Sequence, residues 1–331
     1  MVLRVGLVGL GVMGKHHARV LSSLDAVELV GVVDPGFPGE SIGGCAIYGS
    51  VHELVDLQID YCVIASPTDL HRSLGDTFAA AGVHALIEKP LADTSTAAAE
   101  LVTAFESAGL IAAVGHIERY NPALMEARRR VQAGQLGRIL QVATRRQGPF
   151  PARISDVGVV KDLATHDIDL TAWITGQTYS SVSAQVSYRA GRPHEDMVVA
   201  SGSLSEGTIF THTVNWLSPF KERTVVITGE DGALVADTLS ADVTFYANGV
   251  LATEWDELAA FRGVREGDVI RYAIAKPEPL KTEHENFRDA VLGKPAEIVT
   301  AREGLKAVSV AEAMLQSAAS CSTVMLDEGP Q

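Results

Sequence analysis

The 331-residue sequence predicts an α/β protein of two domains, a doubly wound parallel sheet followed by an α+β domain built on a large, open, mostly antiparallel sheet. Three observations lead there. Up to Gly115, short apolar runs alternate with helical patterns, whereas beyond it strand-like runs follow one another with few helices between them. The chain is also too long for a typical single core. The expected domains are residues 1–120 and 121–331.

In order, "LRVGLVGLG" is an apolar run broken by glycines, and "VMGKHHARVLSSL" carries helical spacing. The runs "VELVGVVD", "IDYCVIASP", "VHALIEKP" and "GLIAAVGH" are each short and apolar, as strands buried on both faces are. Between them "HRSLGDTFAAAG" and "STAAAELVTAFESAG" end in glycine, where a helix C-terminus is expected. A helix then starts near Asn121. The runs "RILQVATRRQ", "SSVSAQVSYRA", "MVVASGSLS", "GTIFTHTVNW", "RTVVITGEDGALVAD" and "DVTFYANG" have the alternation and turns of antiparallel strands. "TEHENFRDAVLG" and "REGLKAVSVAEAMLQSAAS" read as closing helices.

A formal net charge of -14 argues against nucleic acid as a partner, because phosphates demand a basic footprint. No apolar run approaches the roughly 20 residues of a membrane span. The start "MVLRVGLVGLG" enters a strand without a signal peptide's charged and cleavage regions, so the expected setting is cytoplasmic, away from membranes. Cys45, Cys62 and Cys321 are widely separated, which disfavours a disulfide framework or a structural metal site.

Gly9, Gly11 and Gly14 form G-x-G-x-x-G between the first strand and the first helix, with Val12 and Met13 inside the motif. The first glycine suits a tight turn, the second lets a diphosphate approach the backbone, and the third allows close packing of helix on strand. The helix N-terminus supplies free N–H groups for the anion. This is the signature of a dinucleotide-binding Rossmann domain. Asp34 follows the second strand, 20 residues beyond Gly14, and fits the carboxylate that binds the adenosine ribose hydroxyls. It repels a 2′-phosphate, and "DPGFPGE" offers no arginine, so NAD is preferred over NADP.

Ligands of a doubly wound sheet lie beyond the carboxyl ends of its strands. The stretches there are "SPTDLH" (Ser66, Pro67, Thr68 and His71), "EKP" (Glu88 and Lys89 before Pro90) and "GHIERYNP". Ser66, Pro67 and Thr68 are expected to line the cofactor site, although for Thr68 the expected role is first the cap of the next helix. Lys89 could hydrogen-bond a substrate oxygen and exchange protons with it, or could be an ordinary solvated lysine. In "KDLATHDIDL", helical spacing puts Asp162, His166 and Asp169 on one stripe beside a second of Leu163, Leu170 and Ile174.

The ordered set "GLGVMG", "ASPTDLH", "EKPLA" and D-x-x-x-H resembles the glucose-fructose oxidoreductase, inositol dehydrogenase and rhizopine-catabolism (Gfo/Idh/MocA) family over nearly the whole chain. The resemblance implies NAD(P)-linked chemistry on a sugar or cyclitol hydroxyl. It implies that Lys89, Asp162 and His166 act in that chemistry, and it suggests homodimers or homotetramers. An imidazole, with an ordinary pKa of about 6.5, suits His166 to take the hydroxyl proton while Lys89 assists, although Lys89 could be the main base. Asp162 could orient His166, bind a neighbouring hydroxyl, cap the helix or, with His166, ligate a metal. Asp169 ranks below both, and Asp167 reads as a charged boundary residue.

"GHIERYNPA" and "GPFPARISDVGVV" are similar to the members acting on nucleotide-linked amino sugars, UDP-N-acetylglucosamine 3-dehydrogenases among them. Arg119 and Asn121 are then expected at the substrate, with Asn121 also a natural helix cap before Pro122. Arg145, Arg146 and Arg153 cluster in an acidic protein and could hold a diphosphate. Strand alternation lets only one of Arg145 and Arg146 reach it, and Arg146 and Arg153 are the candidates. The expected reaction is oxidation of the C3 hydroxyl of a UDP-linked N-acetylhexosamine. The alternatives are a dehydrogenase of a free sugar, sugar phosphate or inositol, and a non-catalytic NAD(H)-binding regulator.

Overall fold

Among the residues that the computed structural model describes (2–37, 41–150, 157–249 and 266–326), seven strands form a first sheet in the order β3-β4-β2-β1-β5-β6-β7. These are β1 (Leu3–Val8), β2 (Val27–Val33), β3 (Ser41–Ile42), β4 (Cys45–Tyr48), β5 (Tyr61–Ile64), β6 (His84–Glu88) and β7 (Ala112–Gly115). All pairings are parallel except the β3–β4 hairpin. The chain winds from β1 through β2 to β4, then returns to add β5 on the other side of β1. That reversal creates a crevice at the carboxyl ends of β1 and β5. Helices α1 (Val12–Leu21), α2 (Val51–Asp56), α3 (His71–Ala80) and α4 (Ser95–Ser107) connect the strands.

The glycines after α3 and α4 end these helices as their positions suggested. Gly82 and Gly109 take φ of 74° and 65°, the left-handed region that other residues enter at a cost.

The first unit comprises Met1–Ile117 together with Pro277–Glu312. The returning C-terminal segment, placed with residues 121–331 by sequence, packs into the first core for a simple reason. Helix Pro279–Val291 carries Leu280 and Phe287 on one face. Phe287 is 1% exposed and meets Tyr61 edge-on at 5.2 Å, burial worth about 1.5–3 kcal/mol. Val299, Ala301 and Val308 join the cluster of Val8, Ile64 and Val114.

The second unit comprises Glu118–Lys276 and Ala313–Gln331. Its nine described strands run in the order β15-β14-β13-β12-β8-β11-β10-β9-β16. They are β8 (Ile139–Pro149), β9 (Tyr179–Ser187), β10 (Met197–Leu204), β11 (Ile209–Asn215), β12 (Leu217–Gly229), β13 (Gly232–Asp237), β14 (Asp242–Asn248), β15 (Glu266–Arg271) and β16 (Val324–Met325). Only β8 and β11 pair in parallel. Helices α5 (Pro122–Gln132) and α6 (Thr165–Thr175) cover the sheet through Ala123, Leu124, Ala127, Leu170 and Ile174, which pack on Val142, Val225 and Ile227. Among the described residues no helix is long and apolar enough to cross a membrane.

Candidate active site

The glycine loop separates the demands of the fold from those of a ligand. Gly9 has φ +95°, and a Cβ there would lie 2.4 Å from the Ala65 carbonyl oxygen. A Cβ on Gly14 would lie 1.9 Å from the Gly9 carbonyl oxygen, so the third glycine lets α1 close onto its own turn. Around Gly11 a Cβ would meet nothing within 4 Å. Gly11 is also the N-cap of α1 and provides no side-chain cap, which leaves the first amides of the helix open at the crevice. The one glycine that packing does not require is the one a diphosphate needs, so the loop fits the cofactor.

Asp34 is fixed from both sides. Its Oδ2 accepts the Leu10 N–H at 2.6 Å and its Oδ1 accepts the Gly36 N–H at 2.8 Å. Each oxygen keeps a further lone pair for a ribose hydroxyl. The carboxylate therefore ties the glycine loop to the end of β2.

His71 is 1% exposed, and its ring lies between two main-chain carbonyls, Pro90 at 2.9 Å from Nδ1 and Ser66 at 3.1 Å from Nε2. Burial holds its pKa below the usual histidine range against the pull of those carbonyls. The neutral ring sits between the turns after β5 and β6 and donates its single N–H to one of the two carbonyls, with both nitrogens turned inward. Thr68 starts a single turn, Thr68–Leu70, and caps neither that turn nor α3, whose N-cap is Leu70.

Glu88 is 8% exposed. Its Oε1 lies 2.9 Å from His17 Nε2, and its Oε2 accepts the backbone N–H of Lys89 at 3.1 Å. Burial alone would raise its pKa, but His17 and Lys89 bring it below the usual carboxylate range. The Lys89–Pro90 bond is cis.

In the second unit, "KDLATHDIDL" is not one regular helix. Val160–Ala164 is a π-helical turn that passes into α6, a departure common at functional sites. Asp162 lies inside this turn, which corrects its reading as a helix cap; that position belongs to Val159. The turn is anchored by Glu195, whose Oε1 accepts the Val160 N–H at 2.9 Å. A Cβ on Gly158 would fall 2.0 Å from that carboxylate, which explains the glycine in "DVGVV". Asp162 and His166 are each 8% exposed.

The rest of the expected stripe has other partners. Asp169 is 3% exposed and accepts two hydrogen bonds from Arg119, at 2.8 and 2.5 Å. Asp167 is no boundary residue but is 1% exposed, 3.0 Å from Arg146.

Three residues expected at the substrate have partners within the protein. Arg119 pairs with Asp169. Asn121 caps α5, accepting the Ala123 N–H at 3.0 Å and donating to the Thr238 carbonyl at 3.0 Å. Arg146 is 2% exposed and bonds Glu118 at 2.8 Å as well as Asp167, while Arg223 reaches the same Glu118 oxygen at 3.3 Å. Half-buried Glu118 is held below the usual carboxylate range by these two guanidinium groups, against the cost of its desolvation. Arg146 therefore faces inward from β8 between two internal carboxylates. Arg153 lies outside the described residues.

The residues not singled out by sequence did leave one signal. On α1, Gly14, His17, Ala18 and Leu21 share the buried stripe, and on Pro279–Val291 so do Leu280, Glu283, His284 and Phe287. A titratable side chain at an apolar position of a helix announces a buried partner. Glu195 lies in a loop and left no such mark.

Residues 3–116 match the model of an oxidoreductase family with an NAD-binding Rossmann fold, and residues 124–235 match the GFO/IDH/MocA C-terminal domain. The chain is 30% identical over 293 residues to a UDP-N-acetylglucosamine 3-dehydrogenase of Acidithiobacillus ferrooxidans, covering 87% of this chain and 88% of that one. It is 26% identical to inositol 2-dehydrogenase 2 of Saccharopolyspora erythraea over 100% of this chain and 97% of the other. The solved structure of the Acidithiobacillus ferrooxidans enzyme superposes with a TM-score of 0.83 at 25% identity, covering 96% and 97% of the two chains. The chain belongs to the Gfo/Idh/MocA family. It is an NAD-dependent oxidoreductase of the sugar and inositol dehydrogenase type.

Proposed function

We propose that this enzyme oxidises the C3 hydroxyl of a UDP-linked N-acetylhexosamine to the 3-keto sugar. The observation that carries this reading is the similarity to a UDP-N-acetylglucosamine 3-dehydrogenase along nearly the full length of both chains. Gly9, Gly11, Val12, Met13 and Gly14 hold the cofactor diphosphate, Asp34 the adenosine ribose, and the turns at Ser66 and Lys89 the nicotinamide end.

When bound, NAD supplies the hydride acceptor. The chain's own residues manage the proton and the oxygen. His166 takes the proton from the C3 hydroxyl as the C3–H bond breaks, and the carbonyl forms. Lys89 hydrogen-bonds the same oxygen and stabilises the negative charge that develops on it. Asp162 keeps the imidazole in the tautomer that accepts the proton.

A specific observation favours a second reading, an inositol or unactivated sugar substrate. Arg146, one of the arginines expected to hold a diphosphate, is bound to internal carboxylates, as is Arg119, which was expected at the substrate. Calorimetric titration of the NADH-saturated enzyme separates the two. Binding of UDP and UDP-N-acetylglucosamine without binding of myo-inositol supports the nucleotide-sugar reading, and the reverse pattern supports the second.

A further inference from the structure

Behind the turn that carries Lys89 runs a chain of buried polar side chains. His17 Nε2 lies 2.9 Å from Glu88 Oε1, and His17 Nδ1 lies 2.8 Å from His284 Nε2. Both imidazoles are 0% exposed and meet edge to face with ring centroids 5.0 Å apart. With Glu88 ionised, His17 donates its Nε2–H to Oε1, and one proton is shared between His17 Nδ1 and His284 Nε2. Glu88 thus has one oxygen on His17 and the other on the Lys89 backbone amide. A Cβ on Gly115 would come within 3.2 Å of the Glu88 carboxyl carbon, so the carboxylate is also walled in from β7. The neighbouring Glu283 is 1% exposed, and burial pushes its pKa well above the usual carboxylate range.

Such a chain is expensive to bury, and apolar side chains would fill the same space at less cost. Its geometry ends on the backbone of the lysine assigned to the reaction. We propose that His17 and His284 are positioning residues, which clamp Glu88 on the Lys89 backbone amide and so fix the direction in which the Lys89 side chain leaves β6. This rests on the reading of Lys89 as a group that touches the substrate oxygen.

The test is a double-mutant cycle between His17→Leu and Lys89→Ala, assayed with NAD and either UDP-N-acetylglucosamine or myo-inositol, whichever the enzyme turns over. Misplacement of the lysine by about an ångström lowers kcat by about 10²-fold, with KM and NADH affinity changed far less. In the Lys89→Ala background the same substitution has almost no further effect, and His17→Gln, which keeps an N–H for Glu88, recovers most of the loss. His284→Leu gives the same pattern more weakly, and serves alone if His17→Leu does not fold. Losses that multiply, or NADH affinity that falls as much as kcat, overturn the clamp and leave the role of Lys89 standing. Full activity of Lys89→Ala overturns the role of Lys89, and the clamp with it.

Discussion

Arg119 grips Asp169 through two hydrogen bonds, at 2.8 and 2.5 Å, with the two side chains 7% and 2% exposed. The pair joins the turn before α5 to α6, the helix that carries His166, and gives both residues a structural task. Asp169→Ala removes the carboxylate from a buried guanidinium and is expected to cost about 3–5 kcal/mol of stability, read from the denaturation midpoint. Unchanged stability with a raised substrate KM would return Asp169 and Arg119 to the ligand.

Asp34 is expected to govern cofactor affinity. Asp34→Ala removes both the ribose acceptor and the anchor of the Leu10 amide. A hydrogen bond to a charged group contributes about 1.5–3 kcal/mol, so NADH affinity should fall by about 10- to 100-fold in a fluorescence titration, with discrimination against NADPH relaxed. Equal affinities for the wild type and the variant would exclude the assigned role.

These two sites show what was legible in the sequence. The glycine loop and Asp34 could be read because their pattern is local: three glycines at fixed spacing between one strand and the next helix, with an acid 20 residues beyond the last. The order of the elements was legible for the same reason, since apolar runs and glycine caps act over a few residues. The partners of Arg119 and Arg146 could not be read, because Asp169 and Asp167 lie far along the chain and any arginine in an acidic protein resembles an anion site. Regular helical spacing also misled at Asp162, where the π-helical turn changes the register before His166. The return of residues 277–312 to the first unit depends on which core accepts Phe287, and local pattern does not specify that.

His212 is expected to set part of the acid limb of stability. It is wholly buried between Thr144 Oγ1 at 2.8 Å and the Tyr179 hydroxyl at 3.0 Å. Burial first, and then the Arg146 charge, lower its pKa from 6.5 to about 3. The unfolded chain therefore takes up a proton as pH falls below 6.5 while the folded chain does not, so stability is full above that pH and declines towards pH 3. This one group contributes a slope of about 1.4 kcal/mol per pH unit, which His212→Gln should remove from a series of denaturation curves. An unchanged slope in the variant would contradict the assignment.

Glu283 works in the opposite direction. Burial, and then the nearby Glu88, raise its pKa well above the usual 4.5, so the folded chain keeps a proton that the unfolded chain has released. Its contribution is favourable below the unfolded pKa and is lost as pH rises towards the folded value. Glu283→Gln should therefore be more stable than the wild type at neutral pH, with an advantage that grows from pH 5 to 7 at up to about 1.4 kcal/mol per unit. Thermal unfolding across that range checks the sign, and a variant equally stable at every pH would refute it.

The central claim is the substrate, and NADH formation measured side by side on UDP-N-acetylglucosamine, UDP-N-acetylgalactosamine, free N-acetylglucosamine, glucose 6-phosphate and myo-inositol tests it most directly. The account predicts turnover of a UDP-linked N-acetylhexosamine with NAD, a product oxidised at C3, and loss of that turnover in Lys89→Ala and His166→Ala. Turnover of myo-inositol or a free sugar with no turnover of either UDP-sugar would contradict it.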